Sequence, residues 1–157
     1  MASAQNTATQ SAIASAKIVA PITLTKTDDL RFGTIATSSA SGTVSVAPTV
    51  GAQASASASG GATMVASSLA STGPAVFTIT GESDQKFSLN VKTGDVIELS
   101  NGSETMDVTL DIPEFTETKN TLTGGTRSLI IGGSLAVGDN QASGAYSKTF
   151  DVTVAYE

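Results

Sequence analysis

Apolar and polar residues alternate along several stretches of the chain, and this period of two predicts β-strands. The alternation is clearest from Lys86 to Val91, from Met106 to Ile112 and from Phe150 to Tyr156. Shorter strands are predicted at Ala75–Thr80, which is apolar and β-branched, and at Thr43–Ala47. No stretch has the 3.6-residue period of an amphipathic helix. The pattern therefore predicts an all-β chain.

Turn-forming residues separate the predicted strands at short intervals. Asn101-Gly102 has the composition of a hairpin turn, and Gly124-Gly125 predicts a second turn. Gly132-Gly133 predicts a break within Arg127–Val137, and a last strand is predicted from Tyr146 to Glu157. Short strands at regular spacing with such punctuation favour an antiparallel β-sandwich.

The N-terminal part has a longer alternating run, from Ala8 to Leu24, which Pro21 divides in two. Its even positions are apolar with one exception, Gln10, and they include Ala12, Ala14, Ala16 and Ile18. We predict three parts: a disordered leader at 1–7, an extension at 8–20 and a sandwich domain at 21–157. The extension could be a strand that is donated to another molecule, the first strand of the chain's own sandwich, or part of a disordered leader.

Residues 51–73 are rich in Ala, Ser and Gly, with a weak apolar patch at Met64-Val65. They predict either a long loop or a weak edge strand flanked by loops. Near the start, Ala2-Ser3-Ala4 before Gln5 has the small residues of a signal-peptide cleavage site. It is equally well explained as a chance tripeptide in a chain rich in Ala and Ser.

Composition excludes several classes of function. The chain of 157 residues has no Cys, no His and no Trp, which removes thiol nucleophiles, Ser-His-Asp triads and most zinc sites. Its net charge is −6 and its eight basic residues are scattered, so we predict no nucleic-acid partner. No apolar run reaches the length of about 18 residues that spans a bilayer, so no membrane insertion is predicted. We predict no cofactor.

The carboxylates are poor candidates for catalytic or metal-binding groups. Asp28-Asp29 and Glu114 with Glu117 are the closest pairs, but neighbours within turns rarely face each other across a cleft. Oxygen ligands at Asp28, Asp29 or Asp139 could hold calcium, yet they lack EF-hand spacing and favour solvated turns. We therefore predict no catalytic residues, no metal site and no enzyme.

Three segments carry a resemblance to known proteins: Ile22–Ile35 (ITLTKTDDLRFGTI), Leu135–Tyr146 (LAVGDNQASGAY) and Phe150–Tyr156 (FDVTVAY). Together they resemble a bacterial family of secreted domains of unknown function, which opens with KTxDLxFGTI and closes with VGxNQxxGxY and a valine-rich strand. That family is similar to the spore-coat-U-like pilins of the archaic chaperone–usher pathway. The chain departs from many pilins because it has no disulfide pair.

The resemblance implies an incomplete immunoglobulin-like sandwich that is completed by donor-strand exchange. The side chains that the donated strand inserts into the groove, here called knobs, would be those of Ala12, Ala14, Ala16 and Ile18. The acceptor groove, or the strand that a chaperone captures, would be bordered by Phe150, Val152, Val154 and Tyr156. The implied partners are other copies of the chain in a head-to-tail homopolymer, a periplasmic chaperone and an outer-membrane usher. The implied location is an extracellular fibre on the cell surface, exported through the periplasm.

The sequence thus indicates two alternative functions. The first is a structural, pilin-like subunit of an extracellular bacterial fibre assembled by donor-strand exchange. The second is a monomeric secreted or surface-attached β-sandwich that binds a ligand, with residues 8–20 as a linker or as its own first strand.

Overall fold

The computed structural model describes residues 1–50, 56–66, 71–91, 96–112 and 120–157, and these residues form antiparallel strands with one short 3-10 turn. The strands are β1 (Thr23–Asp28), β2 (Arg31–Phe32), β3 (Thr34–Ala36), β4 (Gly42–Val46), β5 (Ala56–Gly60), β6 (Thr63–Val65), β7 (Thr72–Gly73), β8 (Ala75–Thr80), β9 (Phe87–Asn90), β10 (Val96–Ser100), β11 (Thr105–Asp111), β12 (Thr126–Val137) and β13 (Thr153–Tyr156). The predicted all-β, sandwich-like fold is confirmed.

The larger sheet has the order β1-β8-β12-β11-β10; in addition, β4 pairs with β12, and β5 pairs with β4. The smaller sheet of the sandwich consists of β9 and β13, and two further two-stranded sheets pair β2 with β7 and β3 with β6. An immunoglobulin-like sandwich has strands A, B, E and D in one sheet and C, F and G in the other. In the order across the sheet, β1, β8, β12 and β11 correspond to A, B, E and D, and β9 and β13 correspond to C and F. Strands β2 to β7 form an insertion between A and B.

Strand β12 is continuous through Gly132 and Gly133, so the predicted break at these glycines is wrong. Its first half pairs with β8 up to Ile131, and its second half pairs with β11 and β4. A side chain at Gly132 would collide with the carbonyl oxygen of Val46, and one at Gly133 would approach the carbonyl oxygen of Thr109 to 3.0 Å. The glycines permit close packing where the partner strands change.

The core lies between the two sheets and follows the predicted alternation. Phe77 and Ile79 in β8, Leu129 and Ile131 in β12, and Phe87 in β9 are all buried. Among the described residues no polar or charged residue is fully buried. Every second side chain of these strands is therefore buried between the sheets, and this burial of apolar surface stabilises the sandwich.

Two other turn predictions hold. Asn101-Gly102 closes the β10–β11 hairpin, where the side-chain oxygen of Asn101 accepts hydrogen bonds from the backbone N–H groups of Ser103 (2.9 Å) and Glu104 (2.8 Å). Gly124 and Gly125 both have positive φ, at 69° and 77°, between β11 and β12. Of the low-complexity segment 51–73, the described residues form β5, β6 and β7, while 51–55 and 67–70 lie outside the described residues.

Two predicted strands differ from the structure. Residues 1–22 contain no strand, and residues 1–21 are exposed, so the strand predicted from Ala8 starts only after Pro21, at Thr23. The last strand is shorter than Tyr146–Glu157, because β13 spans Thr153–Tyr156 and pairs with β9, which ends at Asn90. Among the described residues, no helix is long and apolar enough to cross a membrane.

Candidate functional site

An open cavity of about 550 Å³ lies against the inner face of the larger sheet. The larger sheet contributes apolar side chains to it from three neighbouring strands: Ile97, Leu99, Met106, Val108, Leu110 and Leu135. Of these side chains, Leu99 and Met106 are half-buried and the other four are buried. The rest of the lining comes from the C-terminal segment 144–148 with Phe150, and from residues 30–33, Ile35 and Ser71.

A second cavity of about 230 Å³ lies beside β1 and β8, where Lys26 and Phe77 are among its lining residues. It shares Leu30, Lys148 and Phe150 with the first cavity. We call the two cavities together the groove. Because Phe150 borders both cavities, the groove follows the C-terminal segment that leads into β13.

The C-terminal segment keeps one apolar face toward the core. Phe150, Val152, Val154 and Tyr156 are half-buried and pack against the core cluster, whereas the residues between them are exposed. Of these four predicted groove residues, Phe150 lines the groove, whereas Val152, Val154 and Tyr156 are not among its lining residues. Among the described residues, β13 pairs with β9 on one edge and with no strand on the other, so its second edge is available for main-chain hydrogen bonds.

The predicted donor residues are separate from the groove within one chain. Ala12, Ala14, Ala16 and Ile18 lie in a segment without secondary structure, and all four are exposed. Ile18 is 94% exposed, and Ile13, on the other face of the alternating pattern, is 96% exposed. The structure of a single chain therefore does not bring the two sets of predicted residues together.

The groove wall is fixed by a hydrogen-bonded loop that sequence reasoning did not find. The side-chain oxygen of Gln141 accepts a hydrogen bond from the backbone N–H of Gly138 (3.2 Å). Its amide group donates to the carbonyl oxygen of Thr105 (3.2 Å) and to the hydroxyl of Tyr146 (3.0 Å). That hydroxyl donates to the carbonyl oxygen of Ala142 (2.7 Å). These bonds explain the Gln and Tyr spacing of the second motif and position Tyr146 at the groove.

A second contact missed by sequence reasoning joins both ends of the described domain. The hydroxyl of Tyr156 donates to the carbonyl oxygen of Ala20 (2.7 Å) and accepts from the backbone N–H of Glu82 (2.7 Å). The Glu82 carboxylate accepts from the backbone N–H of Ala20 (3.2 Å). Gly81 leaves room for the tyrosine, since a side chain there would collide with the hydroxyl. We call this set of contacts the latch.

The carboxylates do not form a site within the part of the chain that the structure describes. Asp29 is 2.7 Å from the Lys26 ammonium and Asp28 is 3.5 Å from the Arg31 guanidinium, and all four side chains are substantially exposed. Across the described ranges, no group of three or more His, Cys, Asp or Glu side chains could hold a metal ion. Glu114 and Glu117 lie outside the described residues.

Comparison with known proteins adds a family and no function. Residues 22–156 match the family model described as "Domain of unknown function (DUF4402)". The matched range starts one residue before β1 and leaves out the extension at 8–20. No curated protein and no solved structure matches the chain.

Proposed function

The chain belongs to the DUF4402 family of domains of unknown function, and we propose that it is a structural subunit of an extracellular bacterial fibre. In this proposal the extension at 8–20 of one copy fills the groove of the next copy with the part that contains Ala12, Ala14, Ala16 and Ile18. The observation that carries the proposal is the presence, in one chain, of an open apolar groove and an exposed extension with the alternation of a strand.

The fold leaves a position for the added strand. A seventh strand of an immunoglobulin-like sandwich lies beside F, on the edge away from C. Here β13 takes the position of F, and its edge away from β9 has no strand partner among the described residues. A strand placed there would gain main-chain hydrogen bonds from β13, and its alternate side chains would point into the groove.

The dimensions of the two segments agree. The four donor residues from Ala12 to Ile18 occupy every second position over seven residues, as do the four residues from Phe150 to Tyr156. At about 3.3 Å per residue, each set spans about 20 Å. Four knobs can therefore lie beside the four alternate residues of the C-terminal segment, of which Val154 and Tyr156 belong to β13.

Burial of Ile18 supplies much of the side-chain energy. Its side chain is 94% exposed in the isolated chain, so insertion would remove nearly all of it from water. Full burial of an isoleucine side chain contributes about 1.5–3 kcal/mol. The alanine knobs contribute less, and main-chain pairing along the unpaired edge of β13 supplies additional stabilisation.

The two ends of the domain have different roles, which favours a fibre. The extension leaves the domain at Ala20, beside Tyr156, whereas the larger cavity lies at the Phe150 end of the same segment. These ends are about 20 Å apart along the strand. Contacts between two different surfaces that do not close on themselves generate open filaments.

An unfilled groove exposes apolar surface and a free strand edge, which is a hazard for a subunit before assembly. The proposal therefore includes a periplasmic chaperone that covers β13 and an outer-membrane usher that delivers subunits to the cell surface. The absence of cysteine is compatible with this route, since a sandwich of this size needs no disulfide to form a core.

A peptide experiment tests the proposal. A synthetic peptide of residues 8–20 is added to a chain that lacks residues 1–19, and hydrogen exchange is followed at β13. We expect the peptide to slow exchange at Thr153 to Tyr156, and we expect a peptide with Ile18→Asp to lose this effect. The control peptide carries Ile13→Asp, on the opposite face. Equal protection by all three peptides, or by none, would contradict strand donation and would favour a self-contained binding module.

A further inference from the structure

We infer that the latch formed by Tyr156 and Glu82 directs the extension out of its own domain and prevents it from turning back into its own groove. The inference rests on the proposed function, because it concerns the choice between donation to a neighbour and insertion into the same chain. It makes Tyr156 and Glu82 positioning residues for assembly, in addition to any contact that Tyr156 makes with an inserted strand.

The latch occupies the main chain of Ala20. Its N–H donates to the carboxylate of Glu82 at 3.2 Å, and its carbonyl oxygen accepts from the Tyr156 hydroxyl at 2.7 Å. An inserted strand pairs through main-chain N–H and C=O groups, and both of these groups of Ala20 are already bonded. The latch therefore ends the donated segment at Val19 and keeps Ala20 on its own domain.

The direction of the chain near the latch also opposes self-insertion. Ala20 meets Tyr156 at one end, while Asp29 and Phe150 border the same cavity at the other end, so β1 and β13 run in opposite directions. An extension that folded back would have to reverse within the few residues before β1. Ala20 precedes Pro21, which restricts Ala20 to extended conformations, so the reversal is disfavoured at the latched residue.

The hydroxyl of Tyr156, and not its ring, holds Ala20 on its own domain. It both donates to Ala20 and accepts from the backbone N–H of Glu82, so it ties the extension to the turn that follows β8. The adjacent Gly81 leaves space for this contact. A phenylalanine at position 156 would keep the ring against the core and lose both hydrogen bonds.

The test compares Tyr156→Phe and Glu82→Ala with the unmodified sequence. Because the chain has no cysteine, Ser11→Cys and Glu98→Cys introduce two spin-label sites, one on the extension and one on the exposed face of β10. Doubly labelled chains are diluted into unlabelled chains of the same variant, and electron–electron distances within a chain are measured. Glu104→Ala, which removes another exposed carboxylate, is the matched control, and urea unfolding verifies that each variant is folded.

We expect one long-distance population in the unmodified chain and in Glu104→Ala. Tyr156→Phe adds a short-distance population, and the ratio of self-inserted to free extension rises about five- to thirty-fold, the effect of losing one or two net hydrogen bonds. Glu82→Ala changes the ratio in the same direction by a smaller factor. Distances that stay unchanged in a folded Tyr156→Phe chain would overturn the inference.

Polymer formation is recorded separately on unheated denaturing gels. If the latch acts as inferred, the oligomer ladder weakens in Tyr156→Phe as the short-distance population grows. Absence of a ladder from the unmodified chain would count against the proposed function alone, because the distances within a chain do not depend on polymer formation.

Discussion

Replacement of Ile18 by alanine tests whether this side chain is a donor knob or an ordinary exposed residue. The isoleucine side chain is 94% exposed in the single chain, so Ile18→Ala changes the free energy of unfolding of the domain by less than about 0.5 kcal/mol. In the proposed fibre the same side chain is buried in a neighbour. Loss of three buried carbon groups at about 0.8 kcal/mol each weakens each subunit joint by about 2 kcal/mol.

This magnitude corresponds to a roughly 30-fold weaker joint. Affinity differences among variants of one interface lie mainly in the dissociation rate, so the joint should open about 30-fold faster. The assay incubates preformed oligomers in guanidinium below the unfolding midpoint of the domain and follows the oligomer ladder on unheated denaturing gels. The dissociation rate is then compared between variants.

Ile13→Ala is the matched control, because Ile13 is 96% exposed and belongs to the same extension. It lies on the opposite face of the period-two pattern, which points away from the groove. We expect its oligomers to dissociate within about two-fold of the original rate. Equal acceleration by both substitutions, or no effect of Ile18→Ala, would refute the assignment of the even face as the inserted face.

Three further predictions concern the domain itself. Phe87→Ala removes a fully buried ring and should lower the free energy of unfolding by about 3–5 kcal/mol in urea denaturation, and a loss below 1 kcal/mol would place the core elsewhere. Gly81→Ala places a methyl group against the Tyr156 hydroxyl and should lower the free energy of unfolding by about 1–3 kcal/mol in the same assay. The double variant with Tyr156→Phe, which lacks this hydroxyl, should recover part of that loss. Gln141→Ala removes three hydrogen bonds of the loop that carries Tyr146 and should cost about 1–3 kcal/mol in thermal unfolding, whereas an unchanged midpoint would show that the loop is held by other contacts.

Much of the sandwich could be predicted because its strands have one buried face. The alternation in Met106–Ile112 corresponds to β11, where Val108 and Leu110 are buried and their neighbours are exposed. The Asn101-Gly102 hairpin could be predicted because its turn conformation needs these residue types. Both features depend on local sequence, so a single sequence is enough to find them.

Other features depend on which strands become neighbours. Gly132-Gly133 predicts a break locally, yet β12 continues through it because three other strands pair along its length. The segment from Tyr146 has strand alternation, but regular pairing starts only at Thr153, opposite the end of β9 at Asn90. A pattern indicates that a segment can pair, and only the tertiary structure supplies the partner.

The candidate site also depends on partners that a single sequence does not specify. The alternation of residues 8–20 indicates a strand, yet the chain offers it no partner among the described residues, and the choice of a neighbouring molecule remains our proposal. The latch could not be predicted, because it joins Ala20, Glu82 and Tyr156 through one hydroxyl and one carboxylate across the length of the sequence. No local motif specifies such a contact.

The central claim is that the extension of one copy, with Ala12 to Ile18 inserted, completes the sandwich of the next. Negative-stain electron microscopy of the purified full chain, beside a chain that lacks residues 1–19 and so keeps Ala20 and the latch, tests it most directly. The account predicts filaments of the full chain and only folded single domains of the shortened chain. Folded single domains in both samples would contradict it.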